Sequence, residues 1–513
     1  MRKSALRCSG LGLALLLSCL TLPPSALACV VGTGTGASCT EAGLNACLPG
    51  GGSFDGTVTF NCGGAATITV TSTKTISADT TIDGGGLITI SGGNSVGVFS
   101  VNTGVKFTVQ NLTIANGLKN IAGNPGGGGI FSNGGTLTVT NSTFSGNSAS
   151  GGGISGAGID GGGILYLGAL TVTNSTFSGN SASRSGGGIF NYGDLGTLTV
   201  TNSTFSGNSA GEDGGGIASN GGTLTVTNST FSGNSADTGD GGGIHSKAVT
   251  LTVTNSTFSG NSAHNGGGGI SGTVTVTNTI VANSTSGGNC AGVIDGGHNI
   301  DDGTTCGFTG TGCFWTTGTS FCNRNPFLDP TGPQNNGGPT QTIALKQWFS
   351  PAINSGDETV CSAAPVNSLD QRGFVRPGTG ATNCSIGAYE SSIRLGLQPE
   401  PQTAASVWPA VLPRSMVPAA AARSPTTPHA RANPSACSTP PPRHRLAPRP
   451  SRVRLPLSRQ RRLGRQPTRL GRTTAVSVPA FVRLRSLARA AGAPWCLRPP
   501  VRVAPATLGL HPQ

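Results

Sequence analysis

Residues 137–149 read LTVTNSTFSGNSA, and the first four positions alternate apolar and polar, with Leu137 and Val139 on one side and Thr138 and Thr140 on the other. A period of two marks a strand with one buried face, whereas a helix would repeat every 3.6 residues. Asn141 follows as a corner residue able to take a left-handed conformation. A second short strand then turns Phe144 inward, and Gly146, Asn147 and Ser148 make a polar turn. The same thirteen letters return from Leu170, Leu198, Leu224 and Leu251, and degenerate relatives begin at Phe107 and Val274. Between copies lie a glycine-rich corner and a third strand around GGGI, at Ile164, Ile189, Ile217 and Ile244.

Three strands and their corners, recurring every 26 to 33 residues, predict coils that stack in parallel at about 4.8 Å. The expected fold is all-β, a right-handed parallel β-helix over residues 58–289. A single coil cannot bury its own apolar face, so like must lie on like. Phe144, Phe177, Phe205, Phe231 and Phe258 are expected to form one column, and Asn141, Asn174, Asn202, Asn228 and Asn255 an amide ladder. A stack leaves open strand edges at its ends, and these need covering. In residues 29–57, Leu44, Cys47 and Leu48 have the spacing of a short amphipathic helix suited to plugging the first coil. At the other end, a Cys-rich module over residues 290–395 breaks the repeat.

Charge is distributed unevenly. Residues 1–28 have the plan of a signal peptide: Arg2, Lys3 and Arg7, an apolar run over residues 11–20, and small residues at Ala26 and Ala28. Export is therefore expected, and no segment is long and apolar enough for a transmembrane helix. Cys29 directly after Ala28 suggests lipoprotein processing, with Cys19 as an alternative site. Residues 29–395 carry ten Lys and Arg against eighteen Asp and Glu, whereas residues 396–513 carry nineteen Arg, no Lys and one acid. The formal charge of +13 thus belongs to the tail, and the acidic body gives no footing for nucleic-acid binding. The tail, rich in Arg and Pro, reads either as a disordered segment or as DNA translated in the wrong frame. Cysteines cluster at the two ends, and in an exported chain disulfides are reasonable. Pairs close in sequence, Cys290 with Cys306 and Cys361 with Cys384, are the expected staples of the caps.

FSGN and GGGI, alternating coil by coil, resemble the FxxN and GGxI repeats of the polymorphic outer membrane proteins, a surface-exposed and largely adhesive β-helix family. GGPTQTIAL from Gly337, SPAINSGD from Ser350, DQRGFVRP from Asp370 and CSIGAYE from Cys384 resemble the choice-of-anchor module that ends many bacterial secreted β-helix proteins. The resemblances cover about residues 39–390 and imply a bacterial cell-surface or secreted location. Two departures stand out. The tail lacks the alternating, aromatic-closed strands of an outer-membrane barrel, and no sorting signal follows Glu390.

The same fold houses pectin-type lyases and polygalacturonases, which need a carboxylate pair or a Ca²⁺-binding carboxylate cluster. Asp301-Asp302 and His298 echo polygalacturonase fragments but lie off the repeated coils, in what reads as a polar loop. Asp213 and Asp240 each precede a GGGI strand, and if stacked they would be like charges that Ca²⁺ could neutralise, although solvated turn aspartates are the simpler reading. His245, His264 and His298 stand apart without metal-ligand spacing. No cofactor and no metal ligand set is expected. The outward threonines resemble the TxT faces of ice-binding solenoids, but Thr is also a good strand former on a wet face.

What varies is the loop between copies, and a constant scaffold with varied loops is how recognition surfaces are built. The expected function is non-catalytic binding of glycans or cell surfaces, adhesin-like, through Tyr166, Arg184, Tyr192 and Lys247. A polysaccharide lyase or hydrolase is the alternative. An ice-binding protein or a passive surface spacer is a third possibility.

Overall fold

A computed structural model describes residues 28–120, 126–150, 160–247, 250–346 and 349–392. The signal segment before Ala28 and the Arg/Pro-rich segment 396–513 lie outside the described residues.

The chain is a parallel β-solenoid. In the coil that opens at Thr197, strand Thr197–Thr201 is followed by Thr204–Ser206, Ser209–Ala210 and Ile217–Ser219. Each pairs in parallel with its counterpart one coil on, so that Leu198 faces Leu224, Phe205 faces Phe231, Ala210 faces Ala236 and Ile217 faces Ile244. The Ile strands form a nine-stranded sheet running from Lys74–Ile76 to Cys290–Ala291. The two-residue Ser-Ala strand is an addition to the three strands expected from the sequence. It was hidden there because Ser and Ala carry no strand signature at that length.

Two left-handed corners bend each coil. Asn202, with φ of 52°, separates the first two strands, and Gly207, with φ of 61°, ends the second. The Ser after each corner Asn is buried, and its hydroxyl accepts the backbone N–H of the equivalent Ser one coil earlier: Ser175 to Ser203 at 3.2 Å, Ser203 to Ser229 at 3.2 Å. The repeated Asn-Ser-Thr therefore serves the corner. Inside, the five phenylalanines stack face to face, with centroids 4.6 to 4.8 Å apart and ring planes within 5° of parallel.

The amide ladder is not where the sequence pointed. It is made by Asn147, Asn180, Asn208, Asn234 and Asn261, each buried, with each Nδ2 donating to the next Oδ1 at 2.9 Å. The corner residues Asn174, Asn202, Asn228 and Asn255 instead keep an Oδ1 without a hydrogen-bond partner. Geometry explains the exchange. The first Asn spends its left-handed φ on the turn, whereas Gly146, with φ of 61°, makes the second turn and leaves Asn147 free to point inward.

The amino-terminal plug is the expected helix, Glu41–Cys47, with Leu44 and Cys47 buried and Thr40 accepting the Gly43 N–H at 3.2 Å. Disulfides Cys29–Cys47 and Cys39–Cys62 tie it to the first strands. Lys74 donates to Glu41 across the first turns of the stack. Burial alone would raise the Glu41 carboxyl. The Lys74 ammonium and the Thr71 N–H and hydroxyl outweigh it, lowering the pKa from 4.5 to about 2.

The other end departs from expectation in two ways. First, stacking does not stop at residue 289: Ile280 faces Ile300, and Ile300 faces Phe321, so the solenoid continues to Cys322, stapled by Cys290–Cys306 and Cys313–Cys322. Second, residues 323–392 do not form a plug. The described residues of this segment run back along the flank of the solenoid as a strap over the corner asparagines. Thr340 donates to the Asn202 carbonyl at 2.9 Å, Asn228 to the Leu369 carbonyl at 2.9 Å, and Asn278 to the Asp357 carbonyl at 3.1 Å. Gln371 inserts between coils, accepting from the Thr230 hydroxyl at 2.6 Å and donating to the Ser203 carbonyl at 3.2 Å. Cys361–Cys384 joins two arms of the strap. Corner residues left with unspent hydrogen-bonding groups are what the strap docks on.

An ionic knot holds the strap's own fold. Arg376 is fully buried and donates to the carbonyls of Ser385 and Gly387, both at 2.7 Å, and to Glu390 at 3.2 Å. Asp370 accepts from Arg372 at 2.6 Å, and the Arg372 guanidinium lies 3.6 Å from the Tyr389 ring centroid.

Candidate functional site

With the strap on one flank, the variable segments gather on another. The Ile-x-Ser sheet is bordered by two irregular corners, the loops that precede the GGGI strands and the shorter ones that follow them. Its middle residues point away from the core in a row, Phe131, Leu165, Phe190, Ala218, His245 and Ser271, paired in register. Leu165, Phe190 and Ala218 nonetheless form a small buried apolar cluster of their own, with Phe131 packed against it.

The structure places the four sequence-predicted residues differently. Tyr166 is a correction: it is fully buried within the main core and its hydroxyl has no partner. Strand parity accounts for this. Ile164 points inward, Leu165 outward and Tyr166 inward again, so the aromatic belongs to the scaffold and not to a loop. Arg184 lies on the loop edge, its Nε 3.1 Å from Glu212 Oε1 on the next coil. Tyr192 borders the opposite edge, 41% exposed, its ring edge-on to Phe190 at 5.8 Å, near the exposed Leu195. Lys247 is exposed, with Nζ 3.6 Å from Asp213 Oδ2. The last three therefore flank one sheet, although they belong to separate loops of the sequence.

In the sequence His245 stands apart from other ligand-type side chains. The structure brings it to Asp213 and Asp240, with one donor atom from each within 4.8 Å of the others. The signal was present in the coil period, which sets Asp240 over Asp213, but it did not say which way His245 faced. The Asp240 N–H donates to Asp213 Oδ1 at 3.0 Å, and Asp213 Oδ2 lies 3.7 Å from His245 Nε2. Burial lowers the His245 pKa below its usual value, against the pull of Asp213 and with help from Lys247.

Asp301, in the polygalacturonase-like Asp301-Asp302 fragment, and the nearby Asp295 are engaged in holding the last coils. Asp301 is buried and accepts from the Gly303 N–H at 2.8 Å, the Cys306 N–H at 2.9 Å and Asn289 at 2.6 Å. Asp295 accepts from Thr309, Asn299 and Ser320, and these bonds outweigh its burial and keep its pKa low. His298 Nδ1 is 2.8 Å from the Ser355 carbonyl oxygen, against the strap.

Four stretches of the chain, residues 174–192, 202–220, 228–247 and 255–273, match the family model of the Chlamydia polymorphic membrane protein (Chlamydia_PMP) repeat. The chain is a β-helix repeat protein similar to the polymorphic membrane proteins. Each polymorphic-membrane-protein match opens on a left-handed corner Asn and closes just past an Ile strand. The matched unit therefore contains the Phe column, the buried Asn ladder and the loop edge, and omits the Leu-Thr-Val-Thr strand. No curated protein and no solved structure matches the chain.

Proposed function

We propose that this protein is a surface-displayed, adhesin-like β-solenoid that contacts glycans or cell surfaces through the Ile-x-Ser sheet and its two bordering corners. The observation that carries the reading is the partition of the coil: the strands from the Leu-Thr-Val-Thr run to the Ser-Ala pair are repeated letter for letter in five coils, and what varies in length, charge and aromaticity collects on and beside one sheet. The strap strengthens it, because by covering the corner asparagines from Asn202 to Asn278 it leaves a partner the opposite borders. Charged residues Arg184, Glu212, Asp213, Asp240 and Lys247 border the sheet together with the partly exposed aromatic Tyr192, the mixture that suits polar ligands with apolar faces. The repeat's similarity to a membrane-protein family supports a surface location.

The test is adhesion of the displayed chain to glycan arrays and to cultured cells, before and after replacing Arg184, Tyr192 and Lys247 by Ala together. Binding should fall at least about tenfold, the loss of roughly 1.4 kcal/mol expected when rim and aromatic contacts go. Adhesion that is unchanged with these three replaced would instead make the solenoid a passive spacer. Release of unsaturated or reducing-end sugars from a polyuronide would make it an enzyme.

A further inference from the structure

We propose that Asp213, Asp240 and His245 form a binding site for one divalent transition-metal ion of the zinc class, seated across two consecutive coils. Carboxylates stacked at a coil edge would not by themselves make a site. The deciding observation is the imidazole: His245 is 7% exposed, and neither ring nitrogen has a hydrogen-bond partner. A buried polar group left unpaired is costly, and the neighbours that Nε2 faces are acceptors whose oxygens are not fully spent. An ion between them satisfies the ring nitrogen and both carboxylates together.

The donor set also selects the ion. Calcium takes six to eight oxygen ligands, whereas imidazole with carboxylates suits zinc and its neighbours. Three protein donors leave a fourth position to water, the arrangement of an open zinc site. One donor atom from each residue already lies within 4.8 Å of the other two. Closing to tetrahedral edges of about 3.3 Å requires shifts of about 1 Å, which partly exposed Asp side chains can make by rotation. One supporting contact is in place, since the Asp240 N–H fixes Asp213 Oδ1 and leaves Oδ2 facing His245. Lys247, 63% exposed along its side chain, holds Asp213 Oδ2 in the absence of an ion and swings to solvent when one enters.

The site stitches the coil of Asp213 to that of Asp240 at the border where no strap reaches. Its consequence is stability by mass action.

The experiment uses the full chain stripped of metal with a chelator. Zn²⁺ and Ca²⁺ are titrated by calorimetry, and Co²⁺ is followed by its visible absorption. One Zn²⁺ per chain attributable to this site, a rise in melting temperature with Zn²⁺, and Co²⁺ bands of low-coordinate geometry are expected. His245→Gln and Asp240→Asn should each weaken that Zn²⁺ site at least about tenfold, the scale on which lost supporting contacts already act. Lys247→Ala should bind at least as tightly as the parent. Asp240→Asn, at the partly exposed edge, keeps the test open if His245→Gln does not fold. Zn²⁺ binding that survives both substitutions, tighter binding of Ca²⁺ than of Zn²⁺, or no saturable binding would overturn the proposal.

Discussion

Asn208 shows how much one residue carries in a stacked fold. Its Nδ2 donates to the Phe177 carbonyl at 3.0 Å and to Asn234 at 2.9 Å, while its Oδ1 accepts the N–H and the Nδ2 of Asn180. Replacing it with Ala leaves several buried groups without partners, and we expect a loss of about 2–4 kcal/mol in urea unfolding. Asn202→Gly should cost less than about 1 kcal/mol, because its φ of 52° is one that glycine adopts freely. Equal costs at the two positions would mean that their roles are misassigned. The repeat announced both asparagines with equal strength, since each recurs in every copy. Which one faced inward depended on Gly146 taking the second corner, a conformational fact that composition does not express. Tyr166 was hidden for a related reason: it lies in a stretch whose letters vary, and variation resembled a loop until strand parity was fixed from Ile164.

At the scale of elements, the amino-terminal plug and the strap make separate predictions. Glu41 has a pKa near 2 in the folded cap against an ordinary 4.5. Between those values the unfolded cap binds more protons than the folded one, so stability rises with pH. The contribution is full above about pH 4.5 and is lost as pH falls toward 2. Glu41→Gln should remove its share of that slope, read as melting temperature across the same window. In the strap, Glu390→Gln removes the charge opposite a fully buried Arg376, a change worth about 3–5 kcal/mol when a buried pair is broken. The expected result is trypsin cleavage at Arg372, which is buried in the parent; continued resistance would show that the knot is not what holds the strap. The plug was legible because Leu44, Cys47 and Leu48 keep a helical spacing. The strap was not. Its motifs were visible in the sequence, including the Asp370, Arg372, Arg376 and Glu390 that make the knot, but it has no periodicity, and its docking partners lie far back along the chain, as Thr230 does for Gln371.

For the whole molecule, strict register implies that coils are interchangeable where nothing else touches them. Deleting residues 170–197 joins Ala169 to Leu198 and removes one complete coil from the part the strap does not reach. The shortened chain should keep its far-ultraviolet spectrum and unfold with a smaller dependence on urea, since less surface is exposed. Loss of the fold would show that the coils are not equivalent. The candidate site was only partly legible at this scale. Arg184, Tyr192 and Lys247 could be picked as unusual side chains, but that they border one sheet follows from coil lengths and corner positions. The meeting of Asp213, Asp240 and His245 likewise needs three dimensions.

The strap reaches from the coil of Asn202 to that of His298 and Ile300, so the described solenoid has a clasped half and an unclasped half. Pulled from its two ends, the protein should yield unevenly: the amino-terminal coils peel away one by one at modest force, and then comes a sharp resistance where several coils must let go together. A molecule tethered at a surface and tugged by whatever it has caught would lengthen under load before it breaks.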